Sequence, residues 1–307
     1  MSDAFKKRLS RNLPDIAETF GTPFHIYDET GICDTCDRLN AAFSSLKGFR
    51  EYFAVKALPN PAIMALLRQN GFGFDCSSVP ELVLARKIGS AGEDIMFTTN
   101  NTSKAQFQTA MDQGGAILNL DDLSLIQKLP GVPEQICFRY NPGPERSGNH
   151  IIGNPVEAKY GLTRNQLHTA YDTAVRMGVK RFGIHTMLAS NELNYTYMVE
   201  TADMLLRVIS DLHQKLAIQF EFINIGGGLG IPYSPDDTPF DLSAMAQGVT
   251  RSLNQFKKTS GWVPRLYMES GRFITGPHGA LVTKVINHKN IYRDYVGVDA
   301  SMSALMR

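Results

Sequence analysis

The sequence predicts an α/β fold: a closed (β/α)8 TIM-type barrel with the beginning of a second, all-β domain. Two observations carry this expectation. Eight short runs rich in β-branched and aromatic residues alternate with helical patterns between residues 51 and 270. After residue 270 the alternation stops, and strand-like segments follow one another without helices. Strands alternating with helices imply a parallel sheet with right-handed crossovers. Eight such units over about 220 residues favour a closed barrel over an open sheet.

The eight runs are 51–57, 73–78, 94–99, 116–121, 135–141, 181–187, 221–227 and 265–270. Helix signals stand between them. Ser78-Val-Pro-Glu81 reads as a capping box, and Ser103-Lys-Ala-Gln106 as another. Between 196 and 214, Met198, Ala202, Leu205, Leu206, Ile209 and Leu212 recur at helical spacing. Outside the barrel, 22–28, 279–289 and 295–300 read as strands. The expected division is 1–28 as an N-terminal segment and strand of the β-domain, 29–272 as the barrel, and 273–307 as an incomplete β-domain. Met302 to Arg307 close neither a strand pair nor a core, so the sequence is expected to be truncated.

Composition narrows the class. Of 307 residues, 43% are hydrophobic and 20% charged, which suits a globular protein and not a disordered one. A net charge of +1 gives no reason to expect nucleic acid or an anionic membrane as a main partner. The N-terminal residues lack the apolar core of a secretory signal, and a cytoplasmic location is the default expectation. Cys33 and Cys36 form a C-x-x-C pair, but no second ligand pair stands at zinc-site spacing. The expectation is two cysteines one helical turn apart and no metal.

Barrel active sites lie at the C-terminal ends of the strands, so the residues there are the candidates. The first run delivers Lys56 after Phe53, Ala54 and Val55. Partial desolvation there is expected to lower its pKa and favour Schiff-base chemistry, where a surface lysine would stay solvated. The second run ends in Asp75, an electrostatic group or a turn residue. The fifth supplies Arg139; the sixth supplies His185, Met187 and Ser190. A lone strand histidine such as His185 also serves as a packing residue.

The seventh run ends in Gly226, Gly227 and Gly228, backbone bare enough to approach a phosphate. The dinucleotide pattern G-x-G-x-x-G fails there because Ile231 takes its last position, and G-x-x-x-x-G-K-[ST] is absent. The eighth ends in Glu269-Ser270-Gly271-Arg272. A carboxylate at that depth needs a partner, and a protonated pyridine nitrogen would be one. Arg272 suits a carboxylate or phosphate, or simply pairs with Glu269. The sequence has neither H-E-x-x-H nor G-x-S-x-G, so metalloprotease and serine-hydrolase readings lack support.

In order, YFAVKA, GFDCSS, FRYNPG, KYG, INIGGGLGIPY, ESGR and VGVDASMSALMR resemble the group IV decarboxylases that use pyridoxal 5′-phosphate (PLP). The likeness runs from about Thr22 to Arg307, and GGGLGIPY with VDASMSALMR points to the diaminopimelate decarboxylase branch. The resemblance implies PLP as cofactor and decarboxylation of an amino acid, meso-diaminopimelate to L-lysine. It implies Lys56 as the lysine that bonds PLP and Glu269 as the acid that pairs with the pyridinium nitrogen. Gly226 to Gly228, Ser190 and the Gly271-Arg272 backbone match the phosphate cup, and Ser270 counts among the cofactor-binding residues. Asp75, Glu81 and Arg139 match polar groups around the lysine and ring, and Arg272 and Arg307 match arginines that hold the distal part of the substrate.

Two departures stand out. The family's H-x-G-S, whose histidine stacks on the ring, is here His185-Thr-Met-Leu-Ala-Ser190, which puts Met187 at the stacking position. His185 is expected on the same strand face as Met187, and either could cover the ring. The usual E-P-G-R is E-S-G-R. The family's C-terminal β-domain also supplies a cysteine, given by the partner subunit of a homodimer, and a tyrosine; neither motif is in this sequence. The alternatives are a related PLP decarboxylase for another amino acid or conjugate, and a non-catalytic PLP-binding barrel. Alanine racemase shares the barrel, but Lys56-Ala-Leu-Pro-Asn60 does not match its lysine segment.

Overall fold

The structure, a computed structural model, describes residues 1–148, 151 and 153–305. The chain forms two compact units, Met1–Thr35 with Ile274–Arg307, and Cys36–Phe273. The first begins with α1 (Asp3–Phe20), capped by Ser2, whose hydroxyl accepts the Phe5 N–H. The sequence reading missed this helix. Pro14 interrupts its pattern, and Phe5 is its one buried residue, so little apolar periodicity marks it. β1 (Phe24–Tyr27) follows, then α2 (Glu29–Ala42), on which Cys33 and Cys36 lie one turn apart.

The second unit is the expected barrel. β2 (Arg50–Ala54), β3 (Gly73–Cys76), β4 (Gly92–Thr99), β5 (Ala116–Leu120), β6 (Gln135–Arg139), β7 (Arg181–His185), β8 (Phe220–Asn224) and β9 (Arg265–Met268) pair in parallel, in sequence order, and close. Closure rests on two register pairs between β2 and β9, Arg50↔Tyr267 and Glu51↔Met268. The crossovers are α3 (Pro61–Gln69), α4 (Val79–Lys87), α5 (Lys104–Met111), α6 (Arg164–Met177), α7 (Tyr195–Leu216) and α8 (Leu242–Ser260). A 3-10 stretch, Leu123–Lys128, takes the helix position after β5, and the short α9 (Arg272–Thr275) follows β9.

Local chemistry explains the elements. Ser103 and Gln106 make the full capping box of α5. Ser78 is the N-cap of α4 but caps differently: Glu81 accepts from the Ser77 N–H at 2.8 Å and the Ser78 hydroxyl at 3.1 Å. On α7 the six apolar residues named from their spacing are all buried. Inside the barrel, Tyr52, Met96, Ile117, Cys137, Phe222 and Tyr267 fill one contiguous cluster. Phe222 and Tyr267 stack with centroids 4.4 Å apart. At the N-terminal face, Arg181 bridges Glu93 and Glu221 at 2.6 Å each and Glu134 at 2.9 Å.

Seven of the eight barrel strands end one to three residues earlier than the sequence suggested; β4 alone ends where expected, at Thr99. β2 stops at Ala54, β6 at Arg139 and β7 at His185. Beyond His185 the apolar composition continues through Met187 and Leu188, but the parallel register with β8 ends at His185↔Asn224. A strand needs a ladder partner as well as apolar residues. In the first unit, the expected strand 279–289 is two. β10 (Gly279–Val282) pairs antiparallel with β1, and β11 (Val285–Asn290) forms a hairpin with β12 (Asp294–Val298). Asp299 turns the chain between β10 and β11 by accepting from the Thr283 hydroxyl and the Lys284 N–H. Among the described residues, no helix is long and apolar enough to cross a membrane.

Gly183 on β7 lies against the Phe222 ring, which occupies the space any Cβ would need. Gly183→Ala is expected to cost about 1–3 kcal/mol through overpacking. Urea unfolding of the variant beside the wild type measures it.

Candidate active site

A cleft of about 590 Å³ opens where the barrel strands end, and all its lining residues belong to the barrel unit. Lys56 enters it from a 3-10 turn, Val55–Ala57, directly after β2. Val55 is fully buried, whereas the Lys56 side chain is 60% exposed. Its Nζ donates to Asp75 Oδ2 and to the Ser77 hydroxyl, both at 3.3 Å. This corrects the expected pKa shift. The adjacent Asp75 carboxylate outweighs the burial that would lower it, and the Lys56 amine is held above the ordinary lysine value. Asp75, on β3, is itself pushed up to about 6 by burial, reinforced by Glu269 and opposed by Lys56.

Glu269 follows β9 and is 7% exposed. Both its oxygens are engaged. His185 Nε2 donates to Oε2 at 3.1 Å, and Asn224 Nδ2 donates to Oε1 at 2.8 Å. Burial pushes this carboxyl up, but His185, Lys56 and the Asn224 amide outweigh burial and hold it below the ordinary carboxylate range. The sequence reading missed Asn224. It ends β8 and links two parts of the site, because its Oδ1 accepts the Gly226 N–H at 2.8 Å. Its one sequence signal is a polar residue inside an apolar strand, two positions before the glycines.

The glycines pack as a bare turn. Gly226 has φ 71°, the left-handed region. A Cβ on Gly227 would run into the Glu269 carbonyl, and one on Gly228 into the Ala189 carbonyl. Gly228 lines the cleft with Ser190, Gly271 and Arg272. Gly226, Gly227 and Ser270 stand behind that surface. The Gly227 N–H donates to Met187 Sδ at 3.3 Å, and Ser270 turns to buried Glu51.

Met187 and His185 both line the cleft, but not as two residues of one strand face. β7 ends at His185, which is buried against Glu269, while half-buried Met187 lies in the loop beyond. Arg139 extends from β6 between Asp121 Oδ1 (3.2 Å) and the Tyr160 ring (4.6 Å), and donates to the Met187 carbonyl at 3.4 Å. Arg272 donates to the Tyr233 hydroxyl at 2.5 Å. Asp121, Tyr160 and Tyr233 are further site residues that strand-end reading did not select. Glu81 holds the start of α4 and does not line the cleft. Arg307 lies outside the described residues.

These groups fit a cofactor with an electrophilic carbonyl, a basic ring nitrogen and a phosphate. The cleft offers an amine at Lys56, an ionised buried carboxylate at Glu269, and bare backbone at Gly228 and Gly271 beside the cation of Arg272. His185 Nδ1 is buried with no hydrogen-bond partner among the described residues, a polar atom left over in the cleft wall.

Comparison with known proteins agrees with this chemistry. Residues 32–276 match the family model of the pyridoxal-dependent decarboxylase, pyridoxal binding domain. The chain is 44% identical over its whole length to Protein TabA of Pseudomonas amygdali pv. tabaci, covering 72% of that protein. It is 33% identical to the diaminopimelate decarboxylase of Methanothermobacter thermautotrophicus, over 95% of this chain and 70% of the other. The crystal structure of the M. jannaschii diaminopimelate decarboxylase with L-lysine superposes with a TM-score of 0.87 at 26% identity, over 95% of this chain and 71% of that one.

Asp75 gives two expected outcomes. A carboxyl raised from its ordinary value to about 6 favours folding below the ordinary value, and loses that advantage as pH rises through about 6. The melting temperature of Asp75→Asn relative to wild type should therefore rise between about pH 4 and about pH 7, read by calorimetry. The same change removes the main cause of the raised Lys56 value. The pH dependence of Lys56 acylation, followed by mass spectrometry, should move to lower pH.

Proposed function

The chain belongs to the pyridoxal-dependent decarboxylases, and from that membership we propose that it converts meso-diaminopimelate to L-lysine by removing one carboxyl group as CO2. PLP is the family's cofactor. The observation that carries the reading is the joint presence of Lys56 and an ionised Glu269 in one cleft, beside the glycine turn. The diaminopimelate decarboxylases among the relatives and solved structures support the substrate.

The roles follow from chemistry. Lys56 is the amine that would hold the cofactor. Asp75 holds the Lys56 ammonium in place and serves as its counter-charge. Glu269 would pair with the ring nitrogen and keep it protonated; His185 and Asn224 keep Glu269 ionised and fixed. Gly228, Ser190 and the Gly271-Arg272 backbone would hold the phosphate, with Gly226 and Gly227 shaping the turn behind them. Met187, steadied by the Gly227 N–H, would cover the ring by dispersion. Arg139, set by Asp121 and Tyr160, would stand beside the ring, and the resemblance gives Arg272 and Arg307 the distal carboxylate of the substrate. Bound in this site, PLP supplies the electron sink for the pair that departing CO2 leaves on the α-carbon.

One observation favours a second reading, a PLP decarboxylase for another amino acid or a conjugate. Met187 replaces the histidine that the resemblance implies at the ring face.

With PLP, the wild type should show a visible-edge absorbance band that borohydride reduces onto Lys56; Lys56→Ala should show none. A reducible adduct persisting in that variant would overturn the role of Lys56. CO2 release with meso-diaminopimelate, ornithine, lysine and arginine decides the substrate. Release from meso-diaminopimelate alone is expected, and turnover of none of the four would favour the second reading.

A further inference from the structure

Glu51 is a fully buried carboxyl that the chemistry above does not use. It sits on β2, five residues before Lys56, and its partner is Ser270, one residue after Glu269. Glu51 Oε1 accepts the Ser270 N–H, and Oε2 accepts from the Ser270 hydroxyl at 3.4 Å. Ser270 is 0% exposed, and its carbonyl accepts the Ala54 N–H at 3.4 Å. Residues 219 apart in sequence are thus tied where the barrel closes.

The location gives this pair its importance. The β2–β9 ladder has two register pairs, the last being Glu51↔Met268. Above it β9 ends at Met268 and Ser270 precedes the short α9, while β2 runs on to Ala54 and then enters the 3-10 turn that carries Lys56. Glu51–Ser270 and Ala54–Ser270 continue the seam past the ladder. On one side they hold the segment carrying Lys56. On the other they hold Glu269, Gly271 and Arg272. The packing there is tight, since a Cβ on Gly271 would lie 2.7 Å from the Ala57 Cβ.

We propose that Glu51 is a positioning residue that, through Ser270, fixes the spacing between Lys56 and Glu269 across the barrel seam. The proposal rests on the roles given to those two residues. They engage opposite ends of one rigid ring, so their separation sets how well both are met at once. Glu51 acts as the neutral acid. Burial pushes its carboxyl well up, Ser270 pulls it partly back, and the charge of Glu269 pushes it further up. A neutral acid at this place adds no second negative charge beside Glu269.

The neutral state makes a sharp test, because a glutamine amide keeps both partners. Its oxygen accepts the Ser270 N–H, and its nitrogen donates to the Ser270 oxygen, reversing the 3.4 Å contact that Oε2 accepts in the wild type. Glu51→Gln is expected to keep the PLP dissociation constant, measured by absorbance titration, within about twofold of wild type. Glu51→Ala should weaken it about tenfold or more, as loss of an outer-shell partner does elsewhere. Ser270→Ala, which keeps the N–H and loses only the hydroxyl, should fall between them and serves if Glu51→Ala does not fold. Melting temperatures without PLP separate positioning from bulk stability. A lower melting temperature with unchanged PLP affinity in Glu51→Ala and Ser270→Ala would overturn the proposal. So would Glu51→Gln weakening PLP as much as Ser270→Ala or more. The role of Lys56 fails on a different result, the reducible adduct in Lys56→Ala, so the two are told apart.

Discussion

Closure of the barrel between β2 and β9 is the constraint on which the site depends. Every strand of a closed barrel has a partner on each side, so no backbone edge is left to satisfy. Closure also brings the start and end of the barrel sequence together, which puts Lys56 and Glu269 in one cleft. The ladder that does this is short, with two register pairs. Its interior support is aromatic: Tyr52 of β2 and Tyr267 of β9 lie 5.1 Å apart, and Phe222 of β8 stacks on Tyr267. The small Gly183 makes room for that stack.

A second constraint is electrostatic. The cleft wall holds Asp75 and Glu269, with Glu51 buried behind it, and each carboxyl meets the cost of burial differently. Glu269 stays ionised because His185 and Asn224 supply hydrogen bonds to both oxygens. Asp75 has the Lys56 ammonium as a counter-charge, yet burial and Glu269 still lift its carboxyl to about 6. Glu51 has only the Ser270 donors and is pushed well up. Three carboxyls with three environments divide the work: a fixed anion, a group titrating near neutrality, and a neutral clamp.

Much of the barrel was legible. Eight apolar runs separated by helix signals specify eight β/α units, and the spacing on α7 named its buried face. The boundaries were less legible because composition does not register where a ladder partner ends, as at His185 and Arg139. The helix α1 left almost no apolar pattern to read, since one residue on it is buried. Within the cleft, strand-end position selected Lys56, Asp75, Arg139, His185 and Glu269, and the glycine run drew attention to 226–228. It passed over Asn224 and Glu51, because an isolated polar residue inside a strand does not announce the partner it meets across the barrel.

By itself, then, the sequence determined the order of the barrel's strands and helices, and which residues stand near the C-terminal ends of those strands. Periodicity, glycine placement and residue chemistry are local properties, and they suffice for that. Tertiary structure alone decided the pairings. Asp75 raises the Lys56 amine instead of leaving burial to lower it, and Glu269 is held by an asparagine 45 positions away. Ser270 serves a buried glutamate and not the cleft surface. Electrostatic energy and hydrogen bonding depend on distance in space, and closing the barrel sets those distances.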